Sequence, residues 1–244
     1  MKEKNESYGK IFGTIKISII LFIVFSIGFF PLVIFGYYVF LFIPFSELWH
    51  FFLLPFLVYI GFSITLFYQL LLNGLVIHIF NIKYEPGVYS YNFKNKMATK
   101  WSIMCTLYTP MRKMLEIFPM GEMKYRYYRL LGMKIGKNTL VGGTIMDPCL
   151  TEIGDNCTMG LYAVIYGHIH DYGKLTLTLN RIIIGNNVVI GAGAIIMPGT
   201  VIEDDVKIAA GAVITKGQRL KKGGVYAGVP AKEIKRKTIS IIKK

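Results

Sequence analysis

The sequence lacks charged residues over two long stretches near its beginning. No Asp, Glu, Lys or Arg occurs in residues 17–46 or in residues 48–82, and Glu47 alone separates the two runs. Each run is longer than the roughly 20 residues that a helix needs to cross a bilayer. A cleaved signal peptide is not expected, because its apolar region is typically about 7–15 residues and would not be followed by a second, longer one. Residues 17–82 are therefore predicted to form a transmembrane helical hairpin.

Cysteine and histidine are scarce, which limits the chemistry available. Cys105, Cys149 and Cys157 show no C-x-x-C spacing, so neither a disulfide framework nor a zinc motif is expected, and the three are predicted to be small buried side chains. Two of the four histidines, His50 and His78, lie within the apolar runs, which leaves too few for a three-histidine metal site elsewhere. No metal is expected. The absence of a G-x-S-x-G motif argues against a serine nucleophile elbow.

Acidic residues are half as frequent as basic ones, 14 against 28. Lysines flank both sides of the predicted hairpin, and such flanks stay in the cytoplasm. We therefore expect residues 1–16 to be a basic cytoplasmic N-terminus and residues 83–134, with ten basic and three acidic residues, to be a basic juxtamembrane linker. Anionic lipid and nucleic acid both attract such charge. Membrane lipid is the expected partner and nucleic acid is not, because the hairpin already holds the linker at a membrane surface.

The linker contains a segment with amphipathic character at residues 96–117. Trp101, Met104, Leu107 and Met111 recur at helical spacing among basic residues. The pattern fits a helix that lies in the membrane interface, and it fits equally a helix packed on a soluble domain.

From residue 135 onward the chain repeats every six residues. The leading position of each hexad is apolar and is often followed by Gly, and Asp147 is the exception. A second apolar or small residue recurs four positions after each leader. Neither a helical period nor simple alternation fits this pattern, whereas a solenoid of stacked coils does. The leading positions are residues 135, 141, 147, 153, 159 and 165, then 184, 190, 196, 202, 208 and 214.

The hexads resemble those of the hexapeptide-repeat acyltransferases. The segment "YAGVPAKEIKRK", residues 226–237, is similar to that family's terminal G-x-P-A-[KR] signature. The resemblance implies a mainly β fold: a left-handed parallel β-helix over residues 135–217, with three hexads per coil and hence four coils, followed by a C-terminal tail at residues 218–244. It also implies a homotrimer with active sites shared between subunits. The chain is thus expected to be a membrane-anchored member of the family.

The repeat is interrupted once, between Ile165 and Ile184, where residues 166–183 are predicted to leave the coil as a loop. The loop contains His168 and His170. In the family that the chain resembles, a loop histidine acts as general base, and imidazole titrates near neutral pH. His168 is preferred because it lies three residues after Ile165, still on the coil, whereas His170 fits the register counted back from Ile184. Both histidines are also open to a plain reading as polar loop residues.

Two nearby aspartates have open roles. Asp171 either orients an imidazole or is solvated, and the solvated reading is preferred. Asp147 either marks a kink in the turn, which is preferred, or is a polar group near an acceptor site.

The resemblance also implies an acyl donor site. Acyl-coenzyme A, most often acetyl-coenzyme A, binds these enzymes between adjacent β-helices. Ala192 and Ala210 match positions whose backbone contacts the pantetheine arm, and Thr215 and Lys216 match positions near the coenzyme phosphates. Turn geometry alone also accounts for the alanines.

The expected activity is therefore an acyl-coenzyme A-dependent O- or N-acyltransferase at the cytoplasmic face of the inner membrane. Transfer is expected to be direct, with a sugar or a lipid-linked glycan precursor as acceptor. A non-catalytic trimeric membrane scaffold is the alternative, and a carbonic anhydrase on the same fold is disfavoured by the scarcity of histidine.

Overall fold

The computed structural model describes residues 2–118 and 120–234, with side chains from Gly13 onward. The chain divides into two compact units. The first is helical and comprises the chain up to Lys83 together with residues 92–131. The second contains the repeats and comprises residues 84–91 and the chain from Gly132 onward.

The helical unit contains six helices in its described part. They are α1 (Lys2–Gly28), α2 (Phe30–Phe42), α3 (Leu48–Phe51), α4 (Leu54–Ile79), α5 (Lys96–Ile117) and α6 (Glu122–Leu130). Each arm of the predicted hairpin is divided where a proline enters the next helix, at Pro31 in α2 and Pro55 in α4. Proline has no N–H to donate and is tolerated in the first helical turn, so the divisions follow from the sequence.

The structure corrects the predicted start of the first helix. Residues 1–16 were expected to form a separate basic N-terminus, but α1 begins at Lys2. Lys and Glu are good helix formers, so the basic segment continues directly into the apolar helix.

Two helical stretches are long and apolar enough to cross a membrane by length and composition. They are Gly13–Phe42, with mean hydropathy 2.8, and Leu48–Ile79, with mean hydropathy 2.0. Most of their large apolar side chains lie exposed on the surface of the single chain. Among them, Phe22, Phe40 and Leu48 are 73%, 77% and 76% exposed.

Helix α5 has the same bounds as the predicted amphipathic segment, residues 96–117. The Asn95 side chain caps the helix by accepting hydrogen bonds from the backbone N–H groups of Met97 and Ala98 at 2.9 and 3.2 Å. The face that carries Trp101 and Met104 is buried, and α5 contacts α1 and α4. The apolar stripe therefore packs on other helices of its own unit, and a place for α5 in the membrane interface stays a prediction.

The repeat unit contains short strands separated by tight turns. In chain order they are β1 (Gly87–Ser90), β2 (Lys134–Ile135), β3 (Leu140–Val141), β4 (Thr144–Ile145), β5 (Thr151–Ile153), β6 (Thr158–Met159), β7 (Val164–Ile165), β8 (His168–Asp171), β9 (Thr176–Leu179), β10 (Ile182–Ile184), β11 (Val189–Ile190), β12 (Ile195–Ile196), β13 (Val201–Ile202), β14 (Lys207–Ile208), β15 (Val213–Ile214), β16 (Arg219–Leu220), β17 (Val225–Ala227) and β18 (Lys232–Glu233).

Fifteen of these strands form three sheets that the chain visits in turn, parallel except for β18, and β1, β9 and β8 form a separate antiparallel sheet. The first sheet has the order β16-β13-β10-β5-β2, the second β17-β14-β11-β6-β3 with β18 antiparallel at its edge, and the third β15-β12-β7-β4. Each pass through the three sheets is one coil, which confirms the predicted parallel hexapeptide-repeat fold. The left hand of the coils stays a prediction from the resemblance.

The interior of the coils is filled by the two residue types that the repeat predicted. Ile165, Ile184 and Ile196 at leading positions are at most 2% exposed, and so are Ala163 and Ala194 at the second positions. Thr200 occupies a second position and is also fully buried, because its hydroxyl donates to the Met197 carbonyl at 2.6 Å. Each coil therefore buries the apolar side of its neighbour.

Three predicted boundaries in this unit are wrong. The supposed loop 166–183 ends earlier, because Ile182 already belongs to β10, and it is a β-hairpin formed by β8 and β9. The supposed linker 83–134 contributes β1, which pairs antiparallel with β9. The coils do not stop at residue 217, because β16 and β17 continue the first and second sheets. Residues 235–244 of the predicted tail lie outside the described residues.

Candidate active site

The candidate site lies at the corner where the chain passes from the third sheet back to the first. We call this position in each coil the third corner. In the first coil it contains Asp147 and a short 3₁₀ helix, Pro148–Leu150, and in the second coil the β8–β9 hairpin leaves from it. The break in the repeat at Asp147 and the longer break after Ile165 are therefore neighbours on consecutive coils.

Asp147 is fully buried and its carboxylate is surrounded by donors. Its Oδ1 accepts a hydrogen bond from the Tyr84 hydroxyl at 2.6 Å. Its Oδ2 accepts from the Gly167 backbone N–H at 2.8 Å and lies 2.6 Å from Nδ1 of His168. A carboxylate accepts and an imidazole N–H donates, so the proton of a neutral His168 ring lies on Nδ1 and its Nε2 is left as the basic atom. A turn follows Asp147, as the preferred kink predicted, and the carboxylate is in addition a polar group at the candidate site.

Gly167 makes the close approach of the hairpin to Asp147 possible. A Cβ at this position would lie 2.7 Å from Cβ of Asp147 and 3.1 Å from Cδ1 of Leu150. Only a residue without a side chain lets the backbone reach the carboxylate here. His168 follows directly, so its ring is brought to the same carboxylate by the backbone that Gly167 positions.

His168 and His170 lie on the same face of the hairpin. His168 is paired with Leu179 and His170 with Leu177, and both leucines are fully buried. The expectation that His168 remains on the coil is wrong, because it begins the outgoing strand β8. The two imidazole centroids are 5.4 Å apart.

Two aromatic rings lie against His170. The Tyr91 ring meets it edge-on at 4.9 Å and the Tyr172 ring stacks on it at 5.6 Å. Burial, assisted by the neighbouring His168, lowers the pKa of His170 below its usual value, while Asp147 opposes the shift. His170 is therefore biased towards the neutral form.

Asp171 does not position the imidazole, and Cys149 is not suited to act as a nucleophile. Asp171 is exposed and accepts a hydrogen bond from the backbone N–H of Lys174 at 3.0 Å, as a turn residue does. Burial raises the pKa of the Cys149 thiol to about 11. A thiol with so high a pKa is a poor nucleophile at neutral pH.

The four predicted donor residues are exposed at two corners of the coils. Ala192 and Ala210 lie on consecutive coils where the chain passes from the second sheet to the third, and the Gly211 N–H donates to the Ala192 carbonyl at 2.9 Å. Thr215 and Lys216 lie at the third corner of the fourth coil, directly after β15. Neighbouring parallel strands are about 4.8 Å apart, so three coils separate Lys216 from Asp147 by about 14 Å along the stack.

The terminal signature is tied to the same corner. The Gln218 side chain accepts hydrogen bonds from the backbone N–H and the hydroxyl of Thr215 at 3.0 and 3.1 Å. Its amide nitrogen donates to the Ala231 carbonyl at 3.0 Å. The Pro-Ala part of the signature therefore holds the turn that carries Lys216.

The sequence marked Asp147, His168 and His170, but it did not indicate Tyr84 or the donors around Asp147. The structure brings Asp147, His168 and His170 together and places the donor residues elsewhere on the coils. Asp147 carried a signal, since it broke the leader pattern. Tyr84 carried none, because it lies 63 residues away in the predicted linker. Within the described residues, no group of three His, Cys, Asp or Glu side chains is placed to hold a metal ion.

Comparison with known proteins first identifies the class of repeat. The family model described as "Bacterial transferase hexapeptide (six repeats)" matches residues 181–216. These are coils on the C-terminal side of the hairpin, and they contain all four predicted donor residues. The match supports the hexapeptide-repeat transferase family that the sequence predicted.

A protein of known sequence is also similar to this chain. A Bacillus subtilis (strain 168) protein named "Putative acetyltransferase YvoF" is 30% identical over 121 residues, which are 47% of this chain and 66% of that protein. The chain thus spans slightly less than two thirds of this relative. The name of this relative is that of an acetyltransferase.

Solved structures of acetyltransferases are also similar. A maltose O-acetyltransferase from Clostridium difficile 630 has 21% identity and a TM-score of 0.47, with 62% of this chain and 92% of that chain covered. A hexapeptide-repeat acetyltransferase from Vibrio cholerae O1 biovar eltor, solved with acetyl-coenzyme A, has 19% identity and a TM-score of 0.42, with 52% and 83% covered. Similarity at this level does not assign a substrate.

Proposed function

We propose that the protein is an acyl-coenzyme A-dependent acyltransferase, with acetyl-coenzyme A as the expected donor. It transfers the acyl group to a hydroxyl or amine of a sugar or a lipid-linked glycan precursor. The observation that carries this proposal is the buried Asp147 beside His168 where the hairpin leaves hexapeptide coils.

His168 acts as the general base in this proposal. Nε2 of His168 takes the proton of the acceptor hydroxyl or amine as that group attacks the thioester carbonyl carbon. The new C–O or C–N bond forms, the C–S bond breaks, and the departing thiolate takes the proton back from the imidazolium. Asp147 holds Nδ1–H of the ring and stabilises the imidazolium while it exists.

Direct transfer is preferred to an acyl-enzyme. Burial raises the pKa values of the Cys149 and Cys157 thiols, so neither offers a thiolate for attack. His170, with its lowered pKa, adds a neutral imidazole beside His168 and no competing positive charge.

The donor is proposed to run along the stack between the two groups of matched residues. Ala192 and Ala210 present backbone without bulky side chains, and the exposed Lys216 provides a cation for the coenzyme phosphates. The hydrogen bonds through Gln218 fix the turn that carries Lys216, which lowers the ordering cost of binding.

The helical unit is proposed to anchor the enzyme in the inner membrane, with the coils at the cytoplasmic face. Two long apolar helices with outward-facing Phe22, Phe40 and Leu48 support this location, because a helix in a soluble core would bury such side chains. The basic segments that flank the two helices support the cytoplasmic orientation.

Binding of acetyl-coenzyme A to the detergent-purified protein, measured by isothermal titration calorimetry, tests this function. We expect micromolar binding that Lys216→Ala weakens and Lys207→Ala leaves unchanged, since Lys207 is exposed on the second sheet and not at the third corner. No binding to a well-folded oligomer would favour the trimeric membrane scaffold instead.

A further inference from the structure

The helical unit contains a groove between α4 and α6 that the acyl-transfer reaction does not use. Its volume is about 420 Å³, within the range of small-molecule sites. Its floor is apolar and includes Phe67, Leu70 and Leu71 of α4. Its basic lining comprises His78 at the last turn of α4 together with Arg126 and Arg129 of α6.

The groove exists because Gly74 lets the two helices approach. A Cβ on Gly74 would lie 2.8 Å from Cδ1 of Leu130 and 3.2 Å from Cδ2 of Tyr127. Gly74 and Tyr127 are buried at the contact, whereas Arg126 and Arg129 on either side of Tyr127 are exposed. The close contact thus holds the two guanidinium groups beside the apolar face of a candidate membrane span.

The two arginines are not neutralised within the helical unit. Across residues 13–118 and 120–234, neither guanidinium group lies in an ion pair with a carboxylate. Arg112 of the same unit, in contrast, pairs with Glu116 at 2.9 Å. Arginine stays protonated at every physiological pH, so the groove carries two fixed positive charges.

We propose that this groove binds one anionic membrane lipid, with the lipid phosphate at Arg126 and Arg129 and the first part of its acyl chains against Phe67 and Leu71. Guanidinium groups bind phosphate through paired hydrogen bonds, and the apolar floor excludes a ligand that is wholly polar. The site rests on the membrane anchoring proposed above and is independent of acyl transfer.

The position of the groove agrees with the depth of a lipid phosphate. His78 is the penultimate residue of α4 and of the apolar stretch Leu48–Ile79, so the basic groups lie where that span meets the headgroup region. Phe67 and Leu71 lie two to three turns further into the same span, at the depth of acyl chains.

Native mass spectrometry of the full chain in detergent, titrated with short-chain phosphatidylglycerol or phosphatidylcholine, tests the proposal. We expect one phosphatidylglycerol per chain, bound in preference to phosphatidylcholine. The double substitution Arg126→Gln with Arg129→Gln should weaken phosphatidylglycerol binding by about tenfold or more, since it removes hydrogen bonds to a charged group. The matched control, Lys94→Gln with Lys96→Gln, removes the same charge from exposed positions outside the groove and should leave binding within about twofold.

Three results would overturn the lipid site. The first is equal binding of the two lipids, and the second is equal weakening by the two double substitutions, which would indicate diffuse charge. The third is inorganic phosphate that binds as tightly as phosphatidylglycerol, which would indicate a site for a soluble anion. A separate experiment, extraction of membranes with alkaline carbonate, tests whether the protein is anchored in the membrane. Release would refute the anchoring as well, whereas a retained protein without lipid preference refutes the groove alone.

Discussion

At the scale of single residues, Asp147 joins the candidate base to the fold. Its carboxylate holds Nδ1 of His168 and also accepts hydrogen bonds from the Tyr84 hydroxyl and the Gly167 N–H. Asp147→Asn keeps the size of the side chain but removes the charge and places an amide beside the ring. We expect kcat to fall about a hundredfold or more, with little change in KM for the acyl donor.

Initial rates over a range of pH measure this effect. The control is Asp171→Asn, which alters an exposed hairpin carboxylate that does not contact either imidazole and should leave kcat unchanged. Equal losses in the two variants would contradict a specific role for Asp147.

Tyr84→Phe tests the structural part of the same network. The substitution leaves one oxygen of a fully buried carboxylate without its donor, which is expected to lower the free energy of unfolding by about 1–3 kcal/mol. Tyr89→Phe is the control, because the Tyr89 hydroxyl contacts only carbonyls of its own turn at 3.1 and 3.2 Å. The melting temperatures of both variants, measured by thermal unfolding, test this expectation. An unchanged melting temperature for Tyr84→Phe would show that the hydrogen bond does not support the site.

His170 predicts a dependence of stability on pH. Its pKa is lowered on folding, so the folded state binds fewer protons than the unfolded state once the pH falls below about 6.5. The free energy of unfolding should therefore decrease as the pH falls from 7 towards 5. We expect His170→Asn to lose less stability over this interval than the unaltered protein, as measured by melting temperature. Identical pH profiles would contradict the shift.

The sequence predicted the histidines at this scale but not their environment. An interruption in a six-residue rhythm marked His168 and His170, and Asp147 was marked as the one polar leader. The kink preferred at Asp147 is present as the 3₁₀ helix Pro148–Leu150, but the donors to its buried carboxylate were not predicted, because Tyr84 comes from a segment without the repeat. Two residues so far apart in sequence share no local pattern, so their hydrogen bond could not be predicted from the sequence.

At the scale of elements, the β8–β9 hairpin is the feature that turns a repeat into a candidate site. At its base, the Asn180 N–H donates a hydrogen bond to the Gly167 carbonyl at 2.8 Å. On its other side, β9 pairs antiparallel with β1. The coils themselves were predictable because each hexad repeats the same inward positions. The pairing of the hairpin with β1 was not, because β1 lies beyond two helices in the sequence.

Gly167→Ala tests the contact between the hairpin and the coil. A Cβ would meet Cβ of Asp147 at 2.7 Å, so β8 must shift and His168 must leave the carboxylate. We expect activity to fall at least about tenfold while the coils stay folded by circular dichroism. Gly173→Ala at the tip of the same hairpin is the control, since its added Cβ would meet only Asp171 at 3.4 Å. Full activity in Gly167→Ala would show that the close approach is not needed.

At the scale of the whole molecule, the resemblance predicts that the coils of three chains assemble into a trimer. Large apolar side chains on the repeat unit are exposed in the single chain, among them Leu161 at 63% and Tyr162 at 84%. Both lie at the corner that carries Ala192 and Ala210 in later coils, where the resemblance implies a neighbouring subunit.

Leu161→Glu with Tyr162→Glu tests this assembly. Two charges in a subunit interface are expected to dissociate the trimer and abolish acyl-coenzyme A binding together. The mass of the protein and detergent particle, measured by light scattering, reports the assembly. A monomeric unaltered protein that binds the donor would contradict a shared site.

The proposed role of His168 is to remove a proton from an acceptor during acyl transfer from coenzyme A. Its most direct test is mass spectrometry of a panel of sugars and membrane lipid extracts incubated with acetyl-coenzyme A and either the unaltered protein or His168→Asn. We predict an acetylated product with the unaltered protein and none with His168→Asn, although this variant still binds acetyl-coenzyme A. An equal yield from both proteins, or no product from a protein that binds the donor, would contradict it.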